Sequence, residues 1–284
     1  MPKALKNKPK IKEDVIWDKV LLSRHPKRIY SNNIIEEISC NFKYLRGDKQ
    51  FSDDSAIISG VAKLKNSNRR YVFICHQKGR NTQERIERNF GMAHPEGYRK
   101  AMRFFSLAEK FNLPVLCLVD TPGAFPGIEA ERRGQSTAIA QSIQKMTNLK
   151  VPIVTIIIGE GGSGGALAMA TSDKVIMLEN SIYSVISPES CASILWRDSK
   201  KNVQSAKALK LNASNVKKLG VVDDIIKETS EQNDVDRKKL CGKINIKVEK
   251  YFSELHRIKP ETLIKNRYKK FRNIGSKFLN EKNT

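Results

Sequence analysis

The stretch IIIGEGGSGGALA, residues 156–168, decides the fold of this chain. Isoleucines end an apolar run, five glycines follow between Gly159 and Gly165, and small residues that suit a helix come after them. This order predicts a buried strand, a glycine-rich turn and a helix. Because glycines strip side chains from the turn, its backbone N–H groups can approach a negatively charged oxygen.

Two phosphate-binding patterns can be compared with this stretch, the dinucleotide-binding turn and the Walker-type loop. Gly159, Gly161 and Gly164 match G-x-G-x-x-G, and Glu179 lies where a dinucleotide-binding turn places its ribose acid, so NAD binding is one interpretation. A Walker-type loop needs Lys-Ser or Lys-Thr after its last glycine, because an ammonium must reach the outer phosphates. Gly165 and Ala166 stand there instead, which excludes a Walker-type loop.

Strand and helix patterns alternate on both sides of this stretch. SAIISGVAKL and RRYVFICHQ predict an antiparallel pair joined by the polar turn KNSN. The units that follow are the helix HPEGYRKAMRFFSLAEKFN, the strand VLCLVD, a helix near ERRGQSTAIAQSIQKMTN, the strand IVTIII and the strand KVIMLE. Such alternation predicts parallel strands with crossover helices, and therefore an α/β layer fold.

Composition changes at both ends of the chain. The lysine-rich residues 1–14 predict a mobile tail, and order is expected to begin near VIWDKVLL. The C-terminal segment carries a basic, helix-like pattern, which predicts a helical appendage that either packs on a partner or is solvated. We expect a basic tail and short helical segment over 1–30, a central domain over 31–230 and this appendage over 231–284.

The bulk numbers set limits on the partners. A chain of 284 residues with 39% hydrophobic content can form a real core, so a globular protein is expected. A formal net charge of +22 attracts phosphates, carboxylates or an acidic protein, although lysines can also simply keep a surface solvated. A basic nucleic-acid-binding or scaffold protein is therefore one hypothesis. The enzyme hypothesis is favoured over it, because a protein that had lost its activity would not need to keep the five glycines of the turn.

The five cysteines are widely spaced, odd in number and without a C-x-x-C pair. They predict a reducing compartment with neither a disulfide framework nor a zinc site. Metal-ligand spacings of His, Cys or carboxylate are absent from the sequence, so no metal is expected. No apolar run approaches a membrane span and the N-terminus lacks a signal-peptide pattern, so a cytoplasmic protein is expected.

Side-chain catalysts are poorly supported. The four histidines are scattered, SPESCAS is not a nucleophile elbow, and His76 is expected to be a buried, hydrogen-bonded histidine. Backbone donors of the glycine turn remain, and these are what an oxyanion hole requires. The loop DTPGAFPG, residues 120–127, ends the preceding strand, so the two loops are expected to line one crevice.

Four long motifs in a fixed order resemble one family. They are HQKGRNTQERIERNFGMAHPEGYRKAMR, DTPGAFPGIEAERRGQSTAIA, IIIGEGGSGGALA and YSVISPESCASILW. Together they closely resemble the alpha subunit of the carboxyltransferase of bacterial and plastid acetyl-CoA carboxylase. The likeness runs from about Trp17 to about Ile226, with a weaker match in the C-terminal helices.

The resemblance implies a crotonase-type spiral of ββα units with N- and C-terminal helical appendages, and not a dinucleotide-binding domain. It implies transfer of the carboxyl group from carboxybiotin to acetyl-CoA, giving malonyl-CoA for fatty acid biosynthesis. The biotin would be attached to the biotin carboxyl carrier protein. The implied partners are a beta subunit, commonly in an alpha2beta2 assembly, the carrier, and biotin carboxylase in the wider complex, whereas neither nucleic acid nor a membrane is implied.

The resemblance also implies the site residues. The family's biotin-side oxyanion donors match Gly164 and Gly165. A pocket for carboxybiotin or CoA is implied with lower weight at Gly123, Ala124, Gly161, Gly162, Lys78, Arg80, Arg132 and Arg133. Tyr98 and Arg99 are expected to be ordered at the subunit interface.

Two residues depart from the family pattern. Ser190 replaces a glycine in the usual PEG motif, which questions the backbone conformation at the start of that helix. The usual EERGQ motif reads Glu131-Arg132-Arg133-Gly134-Gln135 here, so that Arg132 stands in place of an acid, which is expected to add positive charge beside the pocket. With the resemblance stated, the match to a dinucleotide fingerprint is expected to be a coincidence of spacing.

Overall fold

The computed structural model describes residues 15–228 and 234–276. The expected tail over residues 1–14 lies outside these ranges, whereas helix α1 begins at Val15, where order was expected. The strands are β1 Ser39–Tyr44, β2 Ile57–Leu64, β3 Arg70–His76, β4 Val115–Thr121, β5 Ile153–Gly162, β6 Lys174–Leu178, β7 Ile182–Ser184 and β8 Asp224–Ile226.

The helices cover both faces of the sheet. They are α1 Val15–Ser23, α2 Ser31–Ile38, α3 Thr82–Glu87, α4 Pro95–Lys110, α5 Ile128–Arg132, α6 Gln135–Thr147, α7 Ser163–Leu167, α8 Pro188–Trp196, α9 Asn202–Leu209, α10 Ala213–Lys218, α11 Asp234–Leu255 and α12 Pro260–Arg272. Pro95 occupies the first turn of α4, as the sequence predicts, because its missing N–H has no partner there.

One sheet holds all the strands, in the order β1-β2-β3-β4-β5-β6-β8, with the short β7 pairing β5 off this path. The β1–β2 and β2–β3 pairs are antiparallel, and β4, β5, β6 and β8 continue in parallel from β3. The predicted antiparallel pair and the predicted parallel crossovers are both confirmed.

Both faces of the sheet are buried, as expected of a parallel sheet between helices. Along β3 the side chains alternate, so that Val72 and Ile74 join a core with helices α4 and α6. Phe73 and Cys75 point to the other face and join a second core with α2 and α11. The central strands β3 and β4 therefore consist mainly of buried apolar residues.

Helix α11 corrects the prediction for the C-terminal segment. Its buried side chains include Leu240, Ile244, Val248 and Phe252, and they belong to the second core on the chain's own sheet. The apolar side of α11 thus packs on the chain's own sheet and not on a partner. The sequence pattern missed it because residues of α11 contact strands that lie far away along the chain.

Arg267 on α12 ties the end of α6 to the sheet. The residue is 1% exposed, and its guanidinium pairs with Asp173 at 2.9 Å and donates to the carbonyl oxygens of Met146 at 2.6 Å and Leu149 at 2.8 Å. A helix end leaves carbonyls without partners, and a planar cation with several donors satisfies them well.

The predicted helix near ERRGQSTAIAQSIQKMTN is two helices, α5 and α6. Gly134 separates them with a φ of 81°, a left-handed conformation that suits glycine. The predicted strand IVTIII also differs, because β5 continues through Gly162. The predicted glycine turn is therefore mostly strand, and the chain turns only at Ser163, whose φ is 50°.

The buried thiols lead to a chemical prediction. Burial raises the pKa of Cys117 to about 12 and raises that of Cys75 as well, while Cys40 is partly exposed. Because the thiolate is the nucleophile, iodoacetamide at pH 8 should alkylate Cys40 at least about 100-fold faster than Cys117. Peptide mass spectrometry after timed labelling checks this, with guanidinium-unfolded chain as the control in which both react at similar rates.

Candidate active site

Two loops meet at the carboxyl ends of β4 and β5. A Cβ atom on Gly162 would lie 2.0 Å from the carbonyl oxygen of Pro122, and one on Gly165 would lie 2.6 Å from the nitrogen of Ala124. These distances are far below van der Waals contact, so only glycine lets the two backbones approach this closely. The two loops therefore meet at one end of the sheet, as a shared crevice would require.

The first residues of α7 present free N–H groups at this crossing. Among the described residues, no carbonyl or side chain accepts a hydrogen bond from the N–H of Gly164 or Gly165. A Cβ on Gly164 would meet only the Ile139 side chain, at 3.5 Å, and one on Gly123 would have no atom within 4 Å. The crossing therefore carries two backbone donors without an acceptor in the described chain, and such donors are what an oxyanion hole requires.

Tyr98 lies beneath this crossing. Its side chain is fully buried, and its hydroxyl oxygen is 2.9 Å from the Cβ position of Gly165. Burial, followed by the nearby Asp54 carboxylate, raises the pKa of the phenol. The expectation of an interface position is wrong for Tyr98, since a residue inside the core is not available to a partner.

Arg99 is also committed within the chain. Its guanidinium donates to Asp48 at 2.8 Å and to Glu96 at 2.7 Å. Both carboxylates are nearly fully buried. The side chain therefore anchors the loop before β2 to helix α4.

A buried ion network lies beside the crossing. Lys78 Nζ is 2.8 Å from Asp120 Oδ1 and 2.6 Å from Glu160 Oε2, and Arg24 Nε is 2.8 Å from Glu160 Oε1. Arg24 also pairs with Glu189 on α8 at 2.6 Å. Burial alone would lower the pKa of Lys78, but the two carboxylates outweigh it and raise that pKa.

Lys78 is thus paired with two carboxylates inside the chain, and its contact with an anionic substrate group stays a prediction. Arg80 is exposed and stacks over Tyr30 at 4.7 Å, and Tyr30 lines a cavity of about 230 Å³ beside the ion network. Lys78, Asp120 and Glu160 line the same cavity. Of these two basic residues, only Arg80 remains accessible to an anion in solution.

The neighbouring residues Arg132 and Arg133 pair with different carboxylates. Arg132 is exposed and pairs with Glu129 at 2.8 Å, whereas Arg133 donates to Glu96 at 2.9 Å and stacks over Phe51. The charge of Arg133 is therefore compensated on the α4 side, whereas the charge added by Arg132 lies on the surface and is paired with Glu129. Gly161 and Gly162 lie in β5, where Gly161 pairs with Tyr183 of β7.

Ser190 is accommodated in α8. Its N–H donates to the Ser187 hydroxyl at 3.1 Å, which caps the helix. Ser190 does not have a positive φ, so this position does not need a glycine conformation.

The dinucleotide fingerprint does not describe this site. Gly159 and Gly161 lie within β5, and α7 is 5 residues long. Glu179 accepts the N–H of Glu228 at 3.2 Å. The coincidence of spacing that the resemblance implies is consistent with this geometry.

His76, the last residue of β3, corrects another expectation. It is fully buried, and neither ring nitrogen has a hydrogen-bond partner among the described residues. Burial, together with the Lys78 cation, lowers its pKa from 6.5 to about 3. The residue is therefore a neutral imidazole without the hydrogen bonds that we expected.

This pKa gives stability a defined pH dependence. His76 takes up a proton near pH 6.5 in the unfolded chain, whereas in the folded chain it stays neutral until the pH falls to about 3. Stability is therefore lost as pH falls below 6.5, by about 2 kcal/mol between pH 7.5 and 5.0 from this residue alone. Urea unfolding at both pH values should show a smaller loss for His76→Gln than for wild type. Equal losses would mean that His76 titrates normally when folded.

Sequence reasoning missed Asp120, Glu160 and Arg24. Glu160 is a single charged residue among glycines, and Asp120 follows an apolar run. Both positions indicate a buried carboxylate, which needs a cation as partner. Arg24 gives no local signal, because its partner Glu160 is 136 residues away along the chain.

Comparison with known proteins identifies the family. A family model described as acetyl co-enzyme A carboxylase carboxyltransferase-like matches residues 4–275. The chain belongs to this family. The resemblance stated from the four motifs is therefore confirmed.

Relatives within this carboxyltransferase family carry the name acetyl-coenzyme A carboxylase carboxyl transferase subunit alpha. A protein of Thermus thermophilus is 50% identical over 260 residues, which cover 92% of this chain and 83% of the relative. A protein of Cereibacter sphaeroides is 49% identical over 263 residues, covering 93% and 82%. That of Aquifex aeolicus is 46% identical, covering 92% and 80%.

Solved structures of other carboxyltransferases share the fold of this family member. Transcarboxylase 12S aligns with a TM-score of 0.62 at 20% identity, covering 82% of this chain and 44% of the other. The beta subunit of geranyl-CoA carboxylase from P. aeruginosa aligns with a TM-score of 0.60 at 20% identity, covering 79% and 42%. The predicted crotonase-type α/β fold is confirmed.

Proposed function

We propose that this chain is the alpha subunit of the carboxyltransferase of acetyl-CoA carboxylase. The reaction transfers a carboxyl group from carboxybiotin, held on the biotin carboxyl carrier protein, to acetyl-CoA, and it forms malonyl-CoA. The observation that carries the proposal is the pair of unpartnered N–H groups on Gly164 and Gly165 at the loop crossing. The named relatives, about 50% identical, give the substrate class.

Carboxybiotin supplies the carboxyl group, and its ureido oxygen gains negative charge as that group leaves. The N–H groups of Gly164 and Gly165 have no acceptor within the described chain, so they are free to donate to such an oxygen. Donors already fixed in place need no rearrangement when charge develops, and each is worth roughly 3 kcal/mol of barrier.

The neighbouring loop shapes the same space. Gly123 leaves room in front of its backbone, and the N–H of Ala124 lies beside Gly165. We propose that Gly123 and Ala124 form a wall of the biotin pocket and that Gly161 and Gly162 hold the strand end in place. We propose Arg80 and Arg132 as contacts for anionic substrate groups, because both side chains are exposed and carry a positive charge.

We propose that a beta subunit completes the site, as two alpha and two beta chains. Apolar side chains near α8 support a partner surface, since Val185 is 73%, Ile194 71% and Leu195 62% exposed. Exposed apolar side chains of this size favour protein contacts. Biotin carboxylase would join the wider complex, and the acetyl-CoA would be held mainly by the beta chain.

We also propose that the complex works in the cytoplasm without a metal on this chain. Within residues 15–228 and 234–276, no helix is both long and apolar enough to cross a lipid bilayer. In the same ranges, no group of three His, Cys, Asp or Glu side chains is arranged to hold a metal ion. The five cysteines are free thiols, which suits a reducing compartment.

Reconstitution tests the proposal. The chain is co-expressed with the beta subunit from the same genome, and malonyl-CoA is measured from acetyl-CoA and carboxybiotin carrier. We expect turnover by the complex and none by either subunit alone. A pure, assembled complex that forms no malonyl-CoA would refute the proposal.

A further inference from the structure

Strands β4 and β5 change register next to Asp120. Val119 pairs with Ile157, but Thr121 pairs with Gly161, so three residues of β5 lie opposite the single residue Asp120. Extra residues of this kind form a bulge, which redirects the strand and leaves backbone groups outside the regular ladder. The bulge, residues 158–160, ends four residues before Gly164, the first of the two proposed donors.

The side chain of Asp120 substitutes for the missing ladder bond. Its Oδ1 accepts the N–H of Glu160 at 2.9 Å, inside the bulge. Gly159 makes this possible, because a Cβ there would lie 2.3 Å from the same oxygen. A buried N–H left without a partner is costly, so this hydrogen bond holds the bulge in one conformation.

Lys78 and Arg24 compensate the charge of this arrangement. Lys78 bridges Asp120 and Glu160, and the exposed fractions of the three side chains are only 15%, 8% and 11%. Burial alone would raise the pKa of Glu160, but the cations of Lys78 and Arg24 outweigh it and lower that pKa. The carboxylate thus stays charged and fixed between two cations.

We propose that Asp120 is a positioning residue for carboxyl transfer, which holds the β5 bulge so that the N–H groups of Gly164 and Gly165 point into the crevice. The proposal rests on the proposed function, because it assumes that these N–H groups act in turnover. Asp120 itself contacts backbone and Lys78 and is not assigned a contact with substrate. A displacement of about 1 Å at such donors is enough to cost about 100-fold in rate.

The same strand offers a matched control at its other end. Asp173 Oδ2 accepts the N–H of Ile153, the first residue of β5, at 2.8 Å, and it pairs with buried Arg267. Asp173 is therefore also a buried carboxylate that holds the β5 backbone and is paired with a cation. It differs from Asp120 in lying far along the strand from Gly164 and Gly165.

The test compares Asp120→Ala, Asp120→Asn and Asp173→Ala in the complex with the beta subunit. We expect Asp120→Ala to lower kcat about 100-fold with KM for acetyl-CoA within about twofold. Asp120→Asn keeps an acceptor oxygen and should restore at least about tenfold of that loss. Asp173→Ala should lower the melting temperature but keep kcat within about threefold. Equal kcat values for Asp120→Ala and Asp173→Ala would overturn the proposal.

Amide hydrogen exchange gives a readout that does not depend on turnover. In the wild-type chain, the Glu160 amide should exchange as slowly as those of Ile156 and Ile157 in the ladder, and Asp120→Ala should accelerate it at least about tenfold. Fast exchange at Glu160 in wild type would overturn the proposal even where a variant fails to fold. An inactive wild-type complex with a slowly exchanging Glu160 amide would refute the proposed function. It would still support the inference that Asp120 holds the bulge in one conformation.

Discussion

Gly164→Val is expected to lower the kcat of the assembled carboxyltransferase about 1,000-fold while the chain still folds and binds its partner. The Cβ of Gly164 points toward the Ile139 side chain at 3.5 Å, an ordinary contact that a flexible side chain can accommodate. A branched side chain at this position blocks the approach of an oxygen to the two N–H groups. The loss should appear in kcat, because these donors act on charge that develops only during the reaction.

The measurement is steady-state malonyl-CoA formation, together with the melting temperature of the complex and its elution volume. Gly164→Ala is the graded companion, since one methyl group fits beside Ile139 and should cost less activity than valine. If Gly164→Val kept kcat within about threefold of wild type, the oxyanion donors would have to lie elsewhere in the site.

Gly162→Ala is expected to remove about 3 kcal/mol or more of folding free energy, and most of the activity with it. Gly162 has a φ of −95° and a ψ of 122°, which alanine adopts without strain. The obstacle is contact, because the new Cβ would lie 2.0 Å from the carbonyl oxygen of Pro122. Backbone cannot rotate away as a side chain can, so the two loops must separate.

Urea unfolding of the isolated chain measures the loss of folding free energy. Gly242→Ala is the control, because Gly242 lies within α11 with no atom within 4 Å of its Cβ position. Alanine there should leave stability unchanged or raise it by up to about 1 kcal/mol, since it favours a helix over glycine. Similar stability of Gly162→Ala and wild type would show that the loops do not touch as the structure has them.

Periodicity was sufficient to predict the layers of this fold. The alternation of apolar runs with helical patterns gave the antiparallel start, the parallel sheet and the crossover helices, because these follow from burial on two faces. The extension of β5 through Gly162 could not be predicted in this way. Glycine weakens the interior of a strand, and the pairing that extends β5 here comes from β7, which lies about 20 residues further along the chain.

The sequence predicts backbone donors at this site, but it does not predict the ion network beside them. The local motif indicates a glycine-rich turn with backbone donors, and the resemblance assigns that role to Gly164 and Gly165, which stays a prediction. Glu160 was visible as a charge inside that motif, but its partner Lys78 lies 82 residues earlier. Pairing over such separations depends on which strands become neighbours, and a single sequence does not record the packing that decides it.

Arg267 has a consequence for the order in which the chain is made. During synthesis every strand of the sheet leaves the ribosome before α12 does. Until Arg267 emerges, its partners therefore lack their cation; they are the carbonyls of Met146 and Leu149 and the carboxylate of Asp173. The nascent sheet is therefore incomplete at the start of β5 until the last described helix emerges. Ribosome-bound chains that stop before residue 260 should be cut by protease near the end of α6, and the finished chain should resist.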